Sequence, residues 1–484
     1  MPFTNIRMNG TEPMQTLSDT MHLNDSAISE LLDAGAPDAA AVTAVLATAK
    51  AAKGLSIEEA ATLLRVTDPG LLNSIYETAA SVKQALFGSR VVLFAPLYLS
   101  NHCNNGCLYC GFRSSNSSLE RKSLSPDEVV NEARTLEGMG FKRILMVTGE
   151  DPHSWFDNTI KSVEAVYKET GIRVIHVNAP TMEVDAFKEL KRAGVGVYQA
   201  FQETYHRETY ATMHPTGPKR DYDYRLSAMD RAMEAGFGDV GIGPLLGLYD
   251  FRFEVLASIS HSMHLFRRFG AHAHTISVPR LRPAAGSGLD TVPVPVTDEQ
   301  MKLTVAVLRL AVPTAGVVVS TRESAELRTA LLHTGASQLS AASRTDPGGY
   351  TPNGGPEKES KESKKTLEQF STDDHRPLVD VMASIAKEGF VPSLCTTCYR
   401  TGRTGSDFFD TTIEGGMETR CRANAILSLK EYVVEHPKNE NGTMNGLFDT
   451  AISNSIDEIA DEKIKKGVKE KLIAIERGKR DLFY

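Results

Sequence analysis

Short β-branched runs alternate with amphipathic stretches through the middle of this 484-residue chain, and that alternation limits its fold more than any other feature. Eight runs are expected as strands, at 91–99, 143–148, 173–177, 195–201, 239–245, 275–279, 316–320 and 337–342; stretches such as 126–139, 183–193 and 224–235 between them carry helical periodicity. Eight βα units in about 250 residues predict an α/β fold with a closed (β/α)8 TIM-type barrel. Residues 25–88 read as helical, with Ser56 and Asp68 as caps. The expected organisation is a helical segment over 1–88, the barrel over 89–346, a Gly-, Lys-, Glu- and Ser-rich solvated loop over 347–372, and a mostly helical, cluster-binding C-terminal domain over 373–484 ending in a charged amphipathic stretch at 456–477.

A barrel of this kind carries its chemistry on the loops after the C-terminal strand ends. Polar clusters fall at those places: a cysteine motif after the first run, Gly149-Glu150-Asp151 after the second, Asn178 after the third, Gln202–Arg207 after the fourth, Thr321-Arg322-Glu323 after the seventh and Ser343-Arg344 after the eighth.

The net charge is −8, and no basic stripe with interleaved aromatics is present, which argues against nucleic acid as a partner. No apolar run approaches the roughly 20 residues that span a bilayer, so no membrane partner is expected. The first twenty residues lack the apolar core of a secretory signal and are neither Arg-rich nor clearly amphipathic, so a cytoplasmic setting is expected ahead of an organellar one. Thiols stay reduced there, and the six cysteines read as metal ligands, not disulfides.

They fall into two triples. Cys103, Cys107 and Cys110 form Cys-x3-Cys-x2-Cys. Three thiolates in so short a loop can hold three irons of a 4Fe-4S cluster and leave the fourth iron open to a small molecule, as radical S-adenosylmethionine (SAM) enzymes do with SAM. An aromatic residue, Tyr109, precedes the third cysteine as in those enzymes. A zinc knuckle would need a fourth ligand at short spacing, and His102, adjacent to Cys103, does not suit it. Cys395, Cys398 and Cys421 form the second triple; chemistry alone leaves an iron–sulfur cluster and a zinc site completed by His375 or His436 both open.

FAPLYLSNHCNNGCLYCGF (94–112), GEDP (149–152), FQETYHRETY (201–210), HPTGPKRDYDYR (214–225) and CTTCYRTGRTG (395–405) together resemble the HydG family of [FeFe]-hydrogenase maturases, radical SAM tyrosine lyases, over nearly the whole chain. The C-terminal triple is the most discriminating element, since the tyrosine lyase of thiamine synthesis shares the first motif and lacks it. The resemblance implies cleavage of SAM by the first cluster, hydrogen abstraction from the amino group of L-tyrosine, and release of p-cresol and dehydroglycine. It further implies conversion of dehydroglycine to CO and cyanide, captured on iron at an auxiliary cluster that carries a labile extra iron and a free L-cysteine. Hydrogenase maturation proteins and an electron donor are the implied partners. Two other readings remain: 2-iminoacetate synthesis without CO or cyanide, and a non-catalytic cluster carrier.

By the same resemblance His274, just before the sixth strand, is a ligand of the extra iron; by itself a histidine there reads as satisfying backbone groups, and His272 is close enough to confuse the assignment. Arg322 is the candidate for the tyrosine carboxylate, which a planar guanidinium can bind through two hydrogen bonds. Glu150 and Glu203 are candidates to accept hydrogen bonds from the SAM amino group or ribose. Tyr205, His206 and Arg207 are expected to line the same mouth, with Arg280 and Arg282 as further candidates for a SAM or tyrosine carboxylate.

Overall fold

In the computed structural model, which describes residues 24–151, 155–351, 367–436 and 443–484, eight parallel strands close into a barrel. They are β1 (Arg90–Ser100), β2 (Arg143–Thr148), β3 (Val174–Asn178), β4 (Val195–Gln199), β5 (Asp239–Ile242), β6 (Thr275–Ser277), β7 (Gly316–Val319) and β8 (Gln338–Ser340). Each pairs with the next, and β8 pairs with β1 to close the ring. The α/β barrel predicted from the eight runs is the fold observed. Five of those runs extend too far: residues 200–201, 243–245, 278–279, 320 and 341–342 lie beyond the strands, where the chain has already turned into the top loops.

A ninth strand, β9 (Val391–Ser393), was not predicted. It pairs in parallel with Arg90–Val92 at the foot of β1, while β2 takes residues from Ala95 onward. Three residues with a proline at the centre carry no readable period. The consequence is functional, because β9 delivers Cys395 to the bottom of the barrel.

Ahead of the barrel, four helices (Asp25–Asp33, Ala39–Ala49, Ile57–Leu64 and Pro69–Phe87) pack on its outside. Both expected caps form: Ser56 and Glu59 make a reciprocal capping box, and Asp68 accepts from the Leu71 amide at 2.9 Å. The helix predicted over 224–235 is two helices, Tyr222–Leu226 and Ala228–Glu234, divided at Ser227. The C-terminal stretch is likewise interrupted. Asp461 accepts from the amides of Lys463 and Ile464 and starts a new helix, Glu462–Glu476, after Thr443–Asp457 has ended.

Of the polar loop expected over 347–372, residues 352–366 lie outside the described residues. Its two ends are docked, not solvated. The Tyr350 hydroxyl donates to the Pro96 carbonyl at 2.7 Å, and Gln369 packs into the top of the barrel. Just beyond, the amides of Asp373 and Asp374 donate to the Thr321 carbonyl, and the Asp374 carboxylate, buried, pairs with buried Arg328 and with Arg376. Burial alone would raise the Asp374 pKa, but the Arg376 hydrogen bond and the Arg328 charge hold it down to about 2. Removing one member of such a buried pair strands the other, so Arg328→Leu is expected to lower stability by about 3–5 kcal/mol in chemical denaturation. The same pair contributes stability that is present above the ordinary aspartate pKa and is lost as pH falls from about 4 toward 2.

Candidate functional site

The first cysteine motif leaves the top of β1 and folds back over the barrel mouth. Its course is fixed by backbone contacts: the Asn104 amide donates to the Glu150 carbonyl (3.0 Å), Gly106 to Thr216 (3.0 Å) and Leu108 to Met213 (3.0 Å). Gly149 allows this close approach, since a Cβ there would sit 2.2 Å from the His102 carbonyl oxygen. Cys103, Cys107 and Cys110 all line a cavity of about 210 Å³ that reaches down between the strands.

Of the predicted residues, Tyr109, Glu150, Glu203 and Arg322 line this cavity, as does Asn178. Glu203 is held in left-handed backbone (φ +71°) and pairs with Lys219 at 2.7 Å, both side chains largely buried. Such strained backbone concentrates at functional sites. Glu150 accepts from Asn105, whose amide group also lies 3.7 Å from the Cys103 sulfur. The Tyr109 hydroxyl meets His214 Nε2 at 2.8 Å, and His214 Nδ1 faces the Tyr210 carbonyl at 2.8 Å. A carbonyl only accepts, so Nδ1 carries the proton and Tyr109 donates to Nε2; burial pushes His214 down to about 2 and keeps it neutral. Arg322 lies with its guanidinium 3.4 Å from the Phe370 ring centroid.

Tyr205, Arg207 and Arg280 are not in the cavity. The chain turns away after Glu203: the Tyr205 amide donates to Glu254 and its hydroxyl meets His261, behind the wall. His206 stacks on Tyr249, and Arg207 pairs with Asp223 at 2.9 Å. Arg280 is consumed by Glu323 and Asp298, and Arg282 donates to the Arg322 carbonyl and pairs with Asp373. These two arginines brace the loop that carries Arg322.

Sequence reasoning missed several polar cavity residues, four of them from outside the strands. Lys219 and Arg225 come from the segment after β4, Asn105 from inside the cysteine motif, and Gln369 from beyond the charged loop. Gln369 Nε2 donates to Cys110 Sγ at 3.5 Å and its Oε1 accepts from Tyr98 at 2.7 Å. Among the described residues, neither Arg225 nor Arg322 forms an ion pair with a carboxylate; Arg225 donates only to the Phe201 carbonyl.

The second triple lies at the opposite end. Cys395, Cys398 and Cys421 line a smaller cavity of about 40 Å³ with Arg90, Arg143, His274 and Tyr399. Cys395 follows β9, and Arg143 at the foot of β2 donates to its carbonyl at 2.8 Å; Cys421 projects from the helix Gly416–Glu435. The backbone of His274 is satisfied by the ladder itself, its amide donating to Val240 and its carbonyl accepting from Gly316. Its imidazole therefore serves the cavity, where Nε2 meets the Tyr399 hydroxyl at 2.9 Å. His272 instead stacks on Phe266. His375 is paired with Thr372 and His436 packs on Tyr432, so neither joins the triple as a fourth ligand.

Burial pushes the Cys107 thiol up to about 12, with Lys219 pulling back and Cys110 and Cys103 adding to the rise. Burial likewise raises Cys398 to about 12, with Cys421 and Cys395 adding. Thiols in this position need cationic metal to become thiolates, which is the chemistry of metal loading. Among the described residues no three His, Cys, Asp or Glu side chains are set to hold a single ion. The ligands of a cubane bind separate irons and need not converge on one point. Each triple brings three thiols to the lining of one cavity, the donor set that three irons of a cluster require.

The radical SAM superfamily model matches residues 97–258, and the biotin and thiamin synthesis associated domain matches 277–391. The 2-iminoacetate synthase of Escherichia coli is 33% identical over 347 residues, 70% of this chain and 87% of that one. A crystal structure of HydG, a maturase of the [FeFe]-hydrogenase, aligns at 41% identity and a TM-score of 0.89, covering 96% of this chain and 99% of that one. The chain belongs to the HydG family of radical SAM enzymes. HydG from Carboxydothermus hydrogenoformans aligns over 95% of this chain and 100% of its own, at 34% identity and a TM-score of 0.81. No helix among the described residues is long and apolar enough to cross a membrane.

Proposed function

We propose that this chain is a tyrosine lyase that cleaves L-tyrosine to p-cresol and dehydroglycine at the upper cavity, and converts dehydroglycine to CO and cyanide at the lower one. The product is iron carrying CO and cyanide, destined for the hydrogenase active site. When bound, the upper cluster with SAM supplies the radical, and the lower cluster with its extra iron and L-cysteine captures CO and cyanide. Cys103, Cys107 and Cys110 hold the first, Cys395, Cys398 and Cys421 the second, and His274 the extra iron.

SAM and tyrosine each bring a carboxylate and an ammonium group. The two unpaired guanidiniums of Arg225 and Arg322 match the carboxylates, with Arg322 assigned to tyrosine; Glu150 and Glu203 match the amino group and ribose of SAM. The Phe94, Tyr98, Phe112 and Phe370 rings keep the cavity apolar around these charges and exclude water from the radical step.

The two cavities are lined by alternate residues of the same strands. Arg143, Gly316 and Gln338 line the lower one, and Leu145, Val318 and Ser340, each two residues on, line the upper. Residues i and i+2 on a strand are about 7 Å apart, so one layer of side chains separates the cavities. The Gln338 side chain lies over Gly316 and is the polar group that a small imino acid or its fragments would pass between the two cavities.

The observation that carries the full reading over plain 2-iminoacetate synthesis is the second thiol triple with His274 at the barrel foot. The test is anaerobic turnover of uniformly ¹³C,¹⁵N-labelled tyrosine by reconstituted protein with SAM and dithionite. Labelled p-cresol, cyanide and CO together support it. Cresol with neither CO nor cyanide, from protein carrying both clusters, would reduce the assignment to the simpler lyase. No SAM cleavage at all would revive a cluster carrier.

A further inference from the structure

Asp239 opens β5 at the foot of the barrel, and its buried carboxylate faces two ways. Oδ1 accepts the Gly405 amide at 2.9 Å, pinning the loop that follows Cys398. Oδ2 lies 3.3 Å from His274 Nδ1, within ion-pair distance, and among the described residues makes no hydrogen bond. On the far side of the ring, Nε2 lies 2.9 Å from the hydroxyl of Tyr399, the residue next to Cys398.

We propose that Asp239 is the positioning residue for His274: its carboxylate holds the proton on Nδ1, aims the ring, and leaves the Nε2 lone pair as the metal-binding atom beside the Cys395–Cys398–Cys421 triple. A carboxylate can only accept from Nδ1, so the tautomer is fixed by which side of the ring the charge occupies. Metal-binding histidines are commonly oriented by such a carboxylate, and losing it typically lowers metal affinity 10–100-fold. Because the same carboxylate holds Gly405, the histidine from the barrel and the cysteines from the C-terminal segment are set against each other by one side chain. This inference rests on the extra-iron role given to His274 above.

Asp239→Asn separates the two jobs. The amide oxygen can still accept from Gly405, but the group then offers an N–H to Nδ1. That contact favours the opposite tautomer, with the proton on Nε2, where it blocks metal binding.

The experiment is titration of ⁵⁷Fe(II) into protein already carrying both clusters and L-cysteine, with the extra iron read by Mössbauer spectroscopy. Wild type is expected to bind it, and D239N to bind it 10–100-fold more weakly with both clusters intact. H274A should show a comparable loss, and the D239N/H274A double variant no further loss than H274A. D239N binding like wild type would overturn the proposal. So would loss of the lower cluster in D239N, since Asp239 would then serve only to hold the Gly405 loop. Failure of the wild type to bind extra iron would instead refute the underlying role of His274, a separately readable result.

Discussion

Arg322→Leu is expected to raise the KM for tyrosine about 100-fold or more, with SAM binding little changed. The guanidinium lies in the upper cavity, against Phe370 and braced through its backbone by Arg282, and among the described residues forms no ion pair with a carboxylate. Burial lowers its pKa, with Tyr98, Glu203 and Glu323 pulling the other way; a guanidinium is not deprotonated in proteins. Truncating one partner of a buried, hydrogen-bonded charge pair costs about 2–5 kcal/mol, which is the basis for the expected KM. Arg322→Lys keeps the charge but loses the planar fork, and should fall between wild type and leucine. Steady-state p-cresol formation as a function of tyrosine, with SAM binding measured alongside, checks this. An unchanged KM would move the tyrosine carboxylate to Arg225.

The second large effect is expected from replacing Cys395 and Cys398 together with alanine. Cresol formation should persist within a few-fold, because the upper cavity shares no cysteine with the lower one and a layer of barrel side chains lies between them. Cyanide and CO should disappear, since two of the three thiolates that hold the lower centre are gone. Parallel assays of the three products in the loaded variant decide the matter. Equal loss of all three would mean that the lower site supports the fold or the radical step, and that the division of labour is wrong.

Part of the site was legible because its residues directly follow a periodic strand. Glu150 and Arg322 lie two or three positions beyond a ladder, so the barrel rule alone places them at the top. The cysteine motif is readable because its spacing has its own chemistry. Tyr205, Arg207 and Arg280 were read by the same rule, and it failed there because a loop need not keep facing the mouth. The left-handed turn at Glu203 sends Tyr205 outward, and Glu323 with Asp298 draws Arg280 aside. Lys219, Arg225 and Gln369 were hidden for the opposite reason. They reach the cavity from segments far from any strand end, where no period marks a facing side.

At the lower end, His274 was placed by a family resemblance, whereas its partner Asp239 was read only as the first residue of a strand. Nothing local to Asp239 indicates that β5 and β6 are neighbours; that follows from the closed barrel. β9 was illegible for lack of length, yet it is what carries the second triple under the barrel.

The central claim is that two separate iron–sulfur centres occupy opposite mouths of one barrel. Mössbauer quantification of ⁵⁷Fe tests it directly, in reconstituted wild type and in two variants, C103A/C107A/C110A and C395A/C398A/C421A. Each variant is expected to keep about half of the wild-type cluster iron, the first without SAM-induced change in its spectrum and the second with it. Full iron in the C395A/C398A/C421A variant, or loss of both centres from either, would contradict the account.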